Sequence, residues 1–243
     1  METRLELHEL ARKIDISAVR TDVTMPELTD LAETAKRYHF ICAFTMPCFT
    51  PQLAELLRDT PDVAVGGVVG FPSGAETTQT KVHIARELLG MGCGELDMVI
   101  NVGALKSGYY DLVERDIRSV VEAADGKPVK SILEICYLTD DEIRRASEIA
   151  VRAGVTYVKT GTGWGPKPTT VETIRLIRSA IGDAAKIKAA GGVRGLDALL
   201  AMIDAGCDRF GIEPCGRNQL SGCSAQTRFR GKAFSALAGA RRL

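Results

Sequence analysis

The sequence predicts a (β/α)8 barrel formed as a single domain over residues 1–243. Three observations point there. Short apolar runs alternate eight times with segments of helical periodicity, the pattern of parallel strands joined by helical crossovers. A length of 243 residues suits one such barrel, although it would also divide into two small domains. No glycine-rich dinucleotide fingerprint follows the first apolar run, which weakens the doubly wound open sheet as the alternative.

Each element rests on that rhythm. Strands are expected at 13–17, 40–45, 63–70, 95–101, 129–135, 156–160, 186–190 and 209–212. Helices are expected at 26–38, 50–58, 77–91, 110–124, 139–153, 169–180, 195–205 and 229–240. The fifth helix start is marked by Thr139-Asp140-Asp141-Glu142, a hydroxyl three residues before a carboxylate, which is capping-box spacing. Thr169 and Glu172, after Pro168, repeat that spacing at the sixth. The glycine- and polar-rich stretch 216–224 follows the eighth strand, and in a barrel it falls at the face where loops carry function.

Composition narrows the function classes. Lys+Arg and Asp+Glu are both 31, so the formal net charge is zero and broad electrostatic binding to nucleic acid is not expected. No signal peptide is recognisable at 1–13, and no run is apolar enough to span a bilayer, so a cytoplasmic protein with no membrane partner is expected. The seven cysteines are odd in number and read as reduced thiols. Cys207, Cys215 and Cys223 are evenly spaced, but no Cys-x-x-Cys pair exists. With His8, His39 and His83 scattered, no metal site is expected.

Charged residues inside apolar strands carry the chemistry. Lys159 lies near the end of the sixth strand and Lys188 near the end of the seventh, and lysine is seldom buried without a partner. Asp97 sits between Leu96 and Met98 in the fourth strand. Lys130, Ile132 and Glu134 share one face of the fifth by the two-residue period. Strand-end lysines that snorkel into solvent, and a structural Lys130–Glu134 ion pair, are the plain explanations. The functional one is stronger, because the residues come from consecutive strands and can converge at one mouth. A neutral Lys159 would attack an aldehyde or ketone and form an imine, the electron sink that acidifies the neighbouring carbon. Lys188, kept charged, would depress the pKa of Lys159, and Asp97 would relay a proton. The imine does the work of a Lewis acid, so no cofactor is required. The glycines of Gly191-Gly192 and of Gly161-Thr162-Gly163 offer backbone amides that an anion could approach.

These motifs resemble one family. The chain is similar to deoxyribose-phosphate aldolases from about Asp15 to Gly211. The resemblance is carried by Gly70-Phe71-Pro72-Ser73-Gly74-Ala75, by the run from Glu95 through Asp97 and Asn101 to Gly108, by Val158-Lys159-Thr160, and by the run from Lys188 to Arg194. It implies a metal-independent class I aldolase on a (β/α)8 barrel. It implies Lys159 as the Schiff-base lysine, Lys188 as the lysine that tunes it and Asp97 as the holder of the proton-relay water. Lys130 is implied as a further active-site lysine and Cys42 as a cysteine lining the substrate pocket. The implied reaction is reversible cleavage of 2-deoxyribose 5-phosphate to acetaldehyde and glyceraldehyde 3-phosphate. A small aldehyde or sugar phosphate is the partner expected, and a homo-oligomer is compatible with the sequence.

Three stretches depart from the family pattern. The family's Asp-His-Thr-Leu-Leu is here Asp15-Ile16-Ser17-Ala18-Val19, with only the aspartate kept. Its Lys-Thr-Ser-Thr-Gly is Lys159-Thr160-Gly161-Thr162-Gly163, followed by Trp164-Gly165-Pro166-Lys167-Pro168. Where it has Gly-Thr-Ser or Gly-Ala-Ser to grip phosphate, this chain has Gly211-Ile212-Glu213-Pro214. Pro214 has no N–H to give, and Glu213 puts a negative charge where a dianion would sit. Gly191, Gly192, Arg194 or Arg217 could offset it, or Arg217 could pair with Glu213. If Glu213 faces the pocket, an unphosphorylated tail is expected to be preferred. The remaining alternatives are the same imine chemistry on another aldol substrate, and a non-catalytic barrel that only binds.

Overall fold

Eight short apolar runs become eight parallel strands because each of the first seven is followed by an amphipathic helix that covers the outer face of the sheet. In this computed structural model, which describes residues 6–193 and 195–213, the strands close in the order β1 to β8, with β8 pairing back onto β1. They are β1 (Ile14–Ala18), β2 (Cys42–Thr45), β3 (Ala64–Val69), β4 (Glu95–Val99), β5 (Val129–Ile132), β6 (Tyr157–Lys159), β7 (Lys186–Ala190) and β8 (Arg209–Ile212). The helices are α1 (Leu7–Ala11), α2 (Met25–Tyr38), α3 (Thr50–Leu57), α4 (Thr78–Gly90), α5 (Val102–Lys106), α6 (Tyr110–Ala123), α7 (Asp140–Arg152), α8 (Val171–Ile181) and α9 (Leu196–Asp204). The barrel is therefore complete within residues 14–212. The expected final helix at 229–240, the loop at 216–224, Cys215, Cys223, Arg194 and Arg217 lie outside the described residues.

Local chemistry sets where elements begin. In α2, Pro26 lies in the first turn and Glu27 reaches back to the Thr24 amide, closing a capping box. The same box forms at Thr139 and Glu142 of α7, where expected. The buried residues of α2, Leu28, Leu31, Ala32 and Ala35, fall on one helical stripe. The helices press such stripes onto the outer face of the sheet, and this layer is the main apolar core.

Several boundaries differ from the sequence reading, each for a stated reason. β4 stops at Val99 rather than at 101, because the Asn101 side chain accepts from the Ala104 amide and caps α5. β5 stops at Ile132, because Glu134 takes a left-handed conformation with φ 56° and opens a 3-10 turn at Pro-free residues Ile135–Tyr137. Thr169 does not cap α8. Its hydroxyl donates to the Ala190 carbonyl, while Thr170 caps the helix by accepting from the Thr173 amide. The helix α1 was not anticipated, and Glu9 helps to start it by accepting from the Glu6 amide.

Strand alternation decides what fills the barrel. Paired positions Asp15 and Cys42, Asp97 and Lys130, Lys130 and Tyr157, Lys159 and Lys188, and Lys188 and Arg209 lie side by side in register. The side chains of this set turn inward. The β2–β3 side of the interior is apolar, with Cys42, Phe44 and Val68 packed together with Val19. Gly66 makes room for this packing. A Cβ there would lie 2.2 Å from the Phe44 ring.

Candidate active site

The interior opposite Phe44 is a net of buried ion pairs. One oxygen of Asp97, Oδ2, lies 2.7 Å from Lys159 Nζ and 2.7 Å from Lys188 Nζ. Its other oxygen, Oδ1, lies 3.0 Å from Lys130 Nζ in ion-pair rather than hydrogen-bond geometry. Lys188 also meets Asp15 Oδ2 at 2.6 Å. Arg209 closes the base of the net, 2.6 Å from Asp15 Oδ1 and 2.9 Å from Glu95, whose carboxylate also holds Lys130. Below these cations, the Phe44 ring centroid is 4.4 Å from Lys188 Nζ and 4.9 Å from Lys130 Nζ. The Tyr157 ring faces Lys130 and Arg209.

Burial and charge pull these groups in different directions. For Lys159 burial is the largest influence and lowers its pKa. Asp97 works against that, Lys188 and then Lys130 add to it, and the result is about 8. Burial alone would raise the Asp97 carboxyl, but Lys130, Lys159 and Lys188 together hold it well below the usual carboxylate range. Burial would likewise lower Lys130, yet Asp97, Asp15 and Glu95 keep it above the ordinary lysine value. The site thus joins an amine that loses its proton near neutral pH to a carboxylate that stays ionised and lysines that surround it.

The remaining expected residues fall in several places. Asp15 and Lys130 belong to the net itself. Cys42 is fully buried in the interior, and burial followed by Asp15 and Glu95 pushes its thiol well above the ordinary value. It therefore packs the wall as a neutral thiol, beneath the mouth rather than open to it. Thr162 spends both its amide and its hydroxyl on Glu134, so neither is a spare donor at the mouth. Glu134 consequently does not pair with Lys130, which corrects the structural pair considered from the sequence. Gly163, Gly191 and Gly192 have φ of 90°, 87° and 75°. At Gly192 a Cβ would lie 2.4 Å from Pro168, so the loops after β6 and β7 pack edge to edge at the mouth.

Glu213 lies at the same face and is half exposed, but its carboxylate is 2.9 Å from Arg20 Nη1. Arg20, just after β1, also meets Asp22 and Glu27. The negative charge expected to oppose a phosphate is thus already paired. Trp164 straps the mouth from the β6 loop. Its Nε1 donates to the Val19 carbonyl at 2.9 Å, and its ring meets Phe71 edge-on at 6.0 Å.

Sequence reasoning missed Glu95, Arg209 and Arg20. Glu95 and Arg209 could have been found by parity, since each stands two residues before another inward position of its strand. Arg20 carried no such signal. Asp15, Cys42 and Glu95 hold potential ligand atoms within 4.8 Å of one another. They do not suit a cation, because Lys130, Lys188 and Arg209 already occupy the two carboxylates and would repel a metal ion.

A (β/α)8 barrel whose mouth holds a buried lysine of lowered pKa beside an ionised aspartate and a second lysine has the groups that a class I, lysine-dependent aldolase needs. Comparison with known proteins places it further. Residues 12–221 match the family model described as DeoC/LacD family aldolase. A deoxyribose-phosphate aldolase of Sinorhizobium medicae is 50% identical over 204 residues, covering 84% of this chain and 82% of the relative. A solved structure called QR15, an aldolase, superposes with a TM-score of 0.81 at 32% identity, covering 93% of this chain and 97% of that one. A deoxyribose phosphate aldolase from Aeropyrum pernix, described as having a unique tetrameric structure, gives 0.79 at 27% identity, covering 93% and 92%. The chain belongs to the DeoC/LacD family of aldolases and is a lyase. No helix among the described residues is long and apolar enough to cross a membrane.

Proposed function

We propose that the protein cleaves 2-deoxyribose 5-phosphate reversibly to acetaldehyde and glyceraldehyde 3-phosphate, with Lys159 as the covalent nucleophile. The observation that carries this reading is the single oxygen Asp97 Oδ2, 2.7 Å from both Lys159 Nζ and Lys188 Nζ. The names of the relatives supply the substrate. Neutral Lys159 adds to the aldehyde carbon C1, and loss of water leaves a protonated imine. Removal of the C3 hydroxyl proton then lets the C2–C3 bond break. Glyceraldehyde 3-phosphate leaves, and the bonding electrons stay on C2 as an enamine on Lys159. A proton delivered to that carbon gives the acetaldehyde imine, and water releases acetaldehyde and restores the amine. Asp97, in contact with both lysine nitrogens, is placed to pass protons between them and the substrate carbon, through a water where the gap requires one.

The pairing of Glu213 with Arg20 favours the phosphorylated substrate over the unphosphorylated alternative, because it removes the free negative charge from that end of the site. The surface around Lys159 is closed enough, at 7% exposure, to keep the imine from bulk water. Self-association is a separate proposal. It is supported by the tetrameric description of the Aeropyrum pernix relative and is tested by light scattering.

The test is reductive trapping. Acetaldehyde and borohydride should leave a two-carbon adduct on the peptide carrying Lys159. Lys159→Arg keeps the charge beside Asp97 but cannot form the imine, so adduct and turnover should both vanish. An adduct on any other lysine, or turnover by this variant, refutes the assignment. Trapping without cleavage of deoxyribose 5-phosphate refutes the substrate alone.

A further inference from the structure

The buried net holds an uneven count of charges. Among the described residues, four cations, Lys130, Lys159, Lys188 and Arg209, meet three carboxylates, Asp15, Glu95 and Asp97, which leaves one cation in excess. The contacts are shared unevenly as well. Lys130 touches all three carboxylates, Lys188 touches Asp15 and Asp97, and Arg209 touches Asp15 and Glu95. Lys159 touches Asp97 alone among the described residues, and that oxygen is shared with Lys188. All four side chains are buried, so the excess charge is costly, and the cation with the fewest partners is the one whose proton is held least tightly.

We propose that Glu95 and Arg209, at the base of the barrel, are positioning residues that set the protonation of Lys159 by the charge count of the net, without contact to Lys159 or substrate. The proposal rests on Lys159 being the nucleophile. Arg209 supplies the fourth cation. It also engages Asp15, which leaves Lys188 dependent on Asp97 for its second partner. Glu95 supplies the third carboxylate and fixes Lys130 and Arg209 together. The other groups nearby do not alter the count. Cys42 stays a neutral thiol, Tyr157 presents its ring, and Glu134 sits outside the net and is taken up by Thr162. A lowered Lys159 pKa agrees with the count but does not by itself reveal which remote group is responsible.

The test is a charge cycle read as pH profiles of deoxyribose 5-phosphate cleavage and of acetaldehyde trapping at Lys159. Arg209→Gln makes the net neutral, so Lys159 holds its proton longer and the acid limb moves to higher pH. Glu95→Gln raises the excess to two, so the acid limb moves to lower pH. Each shift should be on the order of one pH unit, the size that one unit charge elsewhere in the same buried net gives at an effective dielectric of 20. The double variant restores the count, and its limb should return to within about half a unit of the wild type. Arg209→Lys, which keeps the cation, should leave the limb in place. A merely structural role would not give opposite shifts that cancel. Shifts of the same sign, or no shift while the Lys159 adduct still forms, overturn the proposal. If a single variant does not fold, a double variant whose limb departs from the wild type by more than that half unit overturns it alone. Loss of the Lys159 adduct in the wild type refutes the nucleophile assignment instead.

Discussion

Replacing Lys188 with Met removes one buried cation while nearly keeping the volume of the side chain. The two lysine nitrogens each lie 2.7 Å from Asp97 Oδ2, so they are close neighbours on one oxygen. At about 5 Å and an effective dielectric of 20, two unit charges repel by about 3 kcal/mol, or about two pH units. Without Lys188, the Lys159 amine, now near 8, should therefore titrate near 10. The working form is the free amine, so activity falls as pH drops through this value, and the acid limb should move upward. From about 8 to about 10, the free-amine fraction at pH 7 falls about 100-fold. The fold should survive, because Asp97 keeps Lys130 and Lys159 and Asp15 keeps Arg209. The assay is the pH dependence of kcat/KM for retro-aldol cleavage, with Lys188→Arg as a charge-preserving control. A large loss of rate at every pH with an unmoved acid limb would refute the electrostatic account and make Lys188 a direct participant in proton transfer.

Three further outcomes are expected. Lys81 is fully buried, 2.6 Å from Asp116 and 3.0 Å from the Val99 carbonyl at the end of β4. Asp116→Asn strands that charge and should cost about 3–5 kcal/mol in a urea melt, with much of the loss recovered in Lys81→Met/Asp116→Leu; no loss in the single variant would contradict a true buried pair. Gly66→Ala would drive a Cβ into the Phe44 ring and displace it from beneath Lys130 and Lys188, lowering stability by about 1–3 kcal/mol together with the rate, and a variant with wild-type Tm would show that the ring has room to move. Arg20→Met should release Glu213 and raise KM for deoxyribose 5-phosphate selectively, whereas Glu213→Ser alone should change it less than about tenfold. A large gain on the phosphate from Glu213→Ser would mean that Glu213 opposes it despite Arg20.

The sequence by itself determined the barrel, because its signals are local. Apolar runs of strand length, helical stripes and capping residues each act over a few positions, and their eightfold alternation leaves little choice of topology. Lysines 159 and 188 and Asp97 were legible for the same reason: a charge inside an apolar strand stands out, and its parity gives the face it must occupy. Tertiary structure alone decided the partners. Glu134 shares strand parity with Lys130 on paper, but a left-handed residue ends the strand, and the carboxylate turns to Thr162 instead. Lys130 instead meets Glu95 and Asp97 on the neighbouring strand β4. Arg209 reaches Asp15, and Glu213 reaches Arg20, only because β8 closes onto β1. Those pairs are 194 and 193 positions apart in the chain. A Coulomb interaction in a dry interior depends on ångströms of separation after closure, and no spacing along the sequence carries that information.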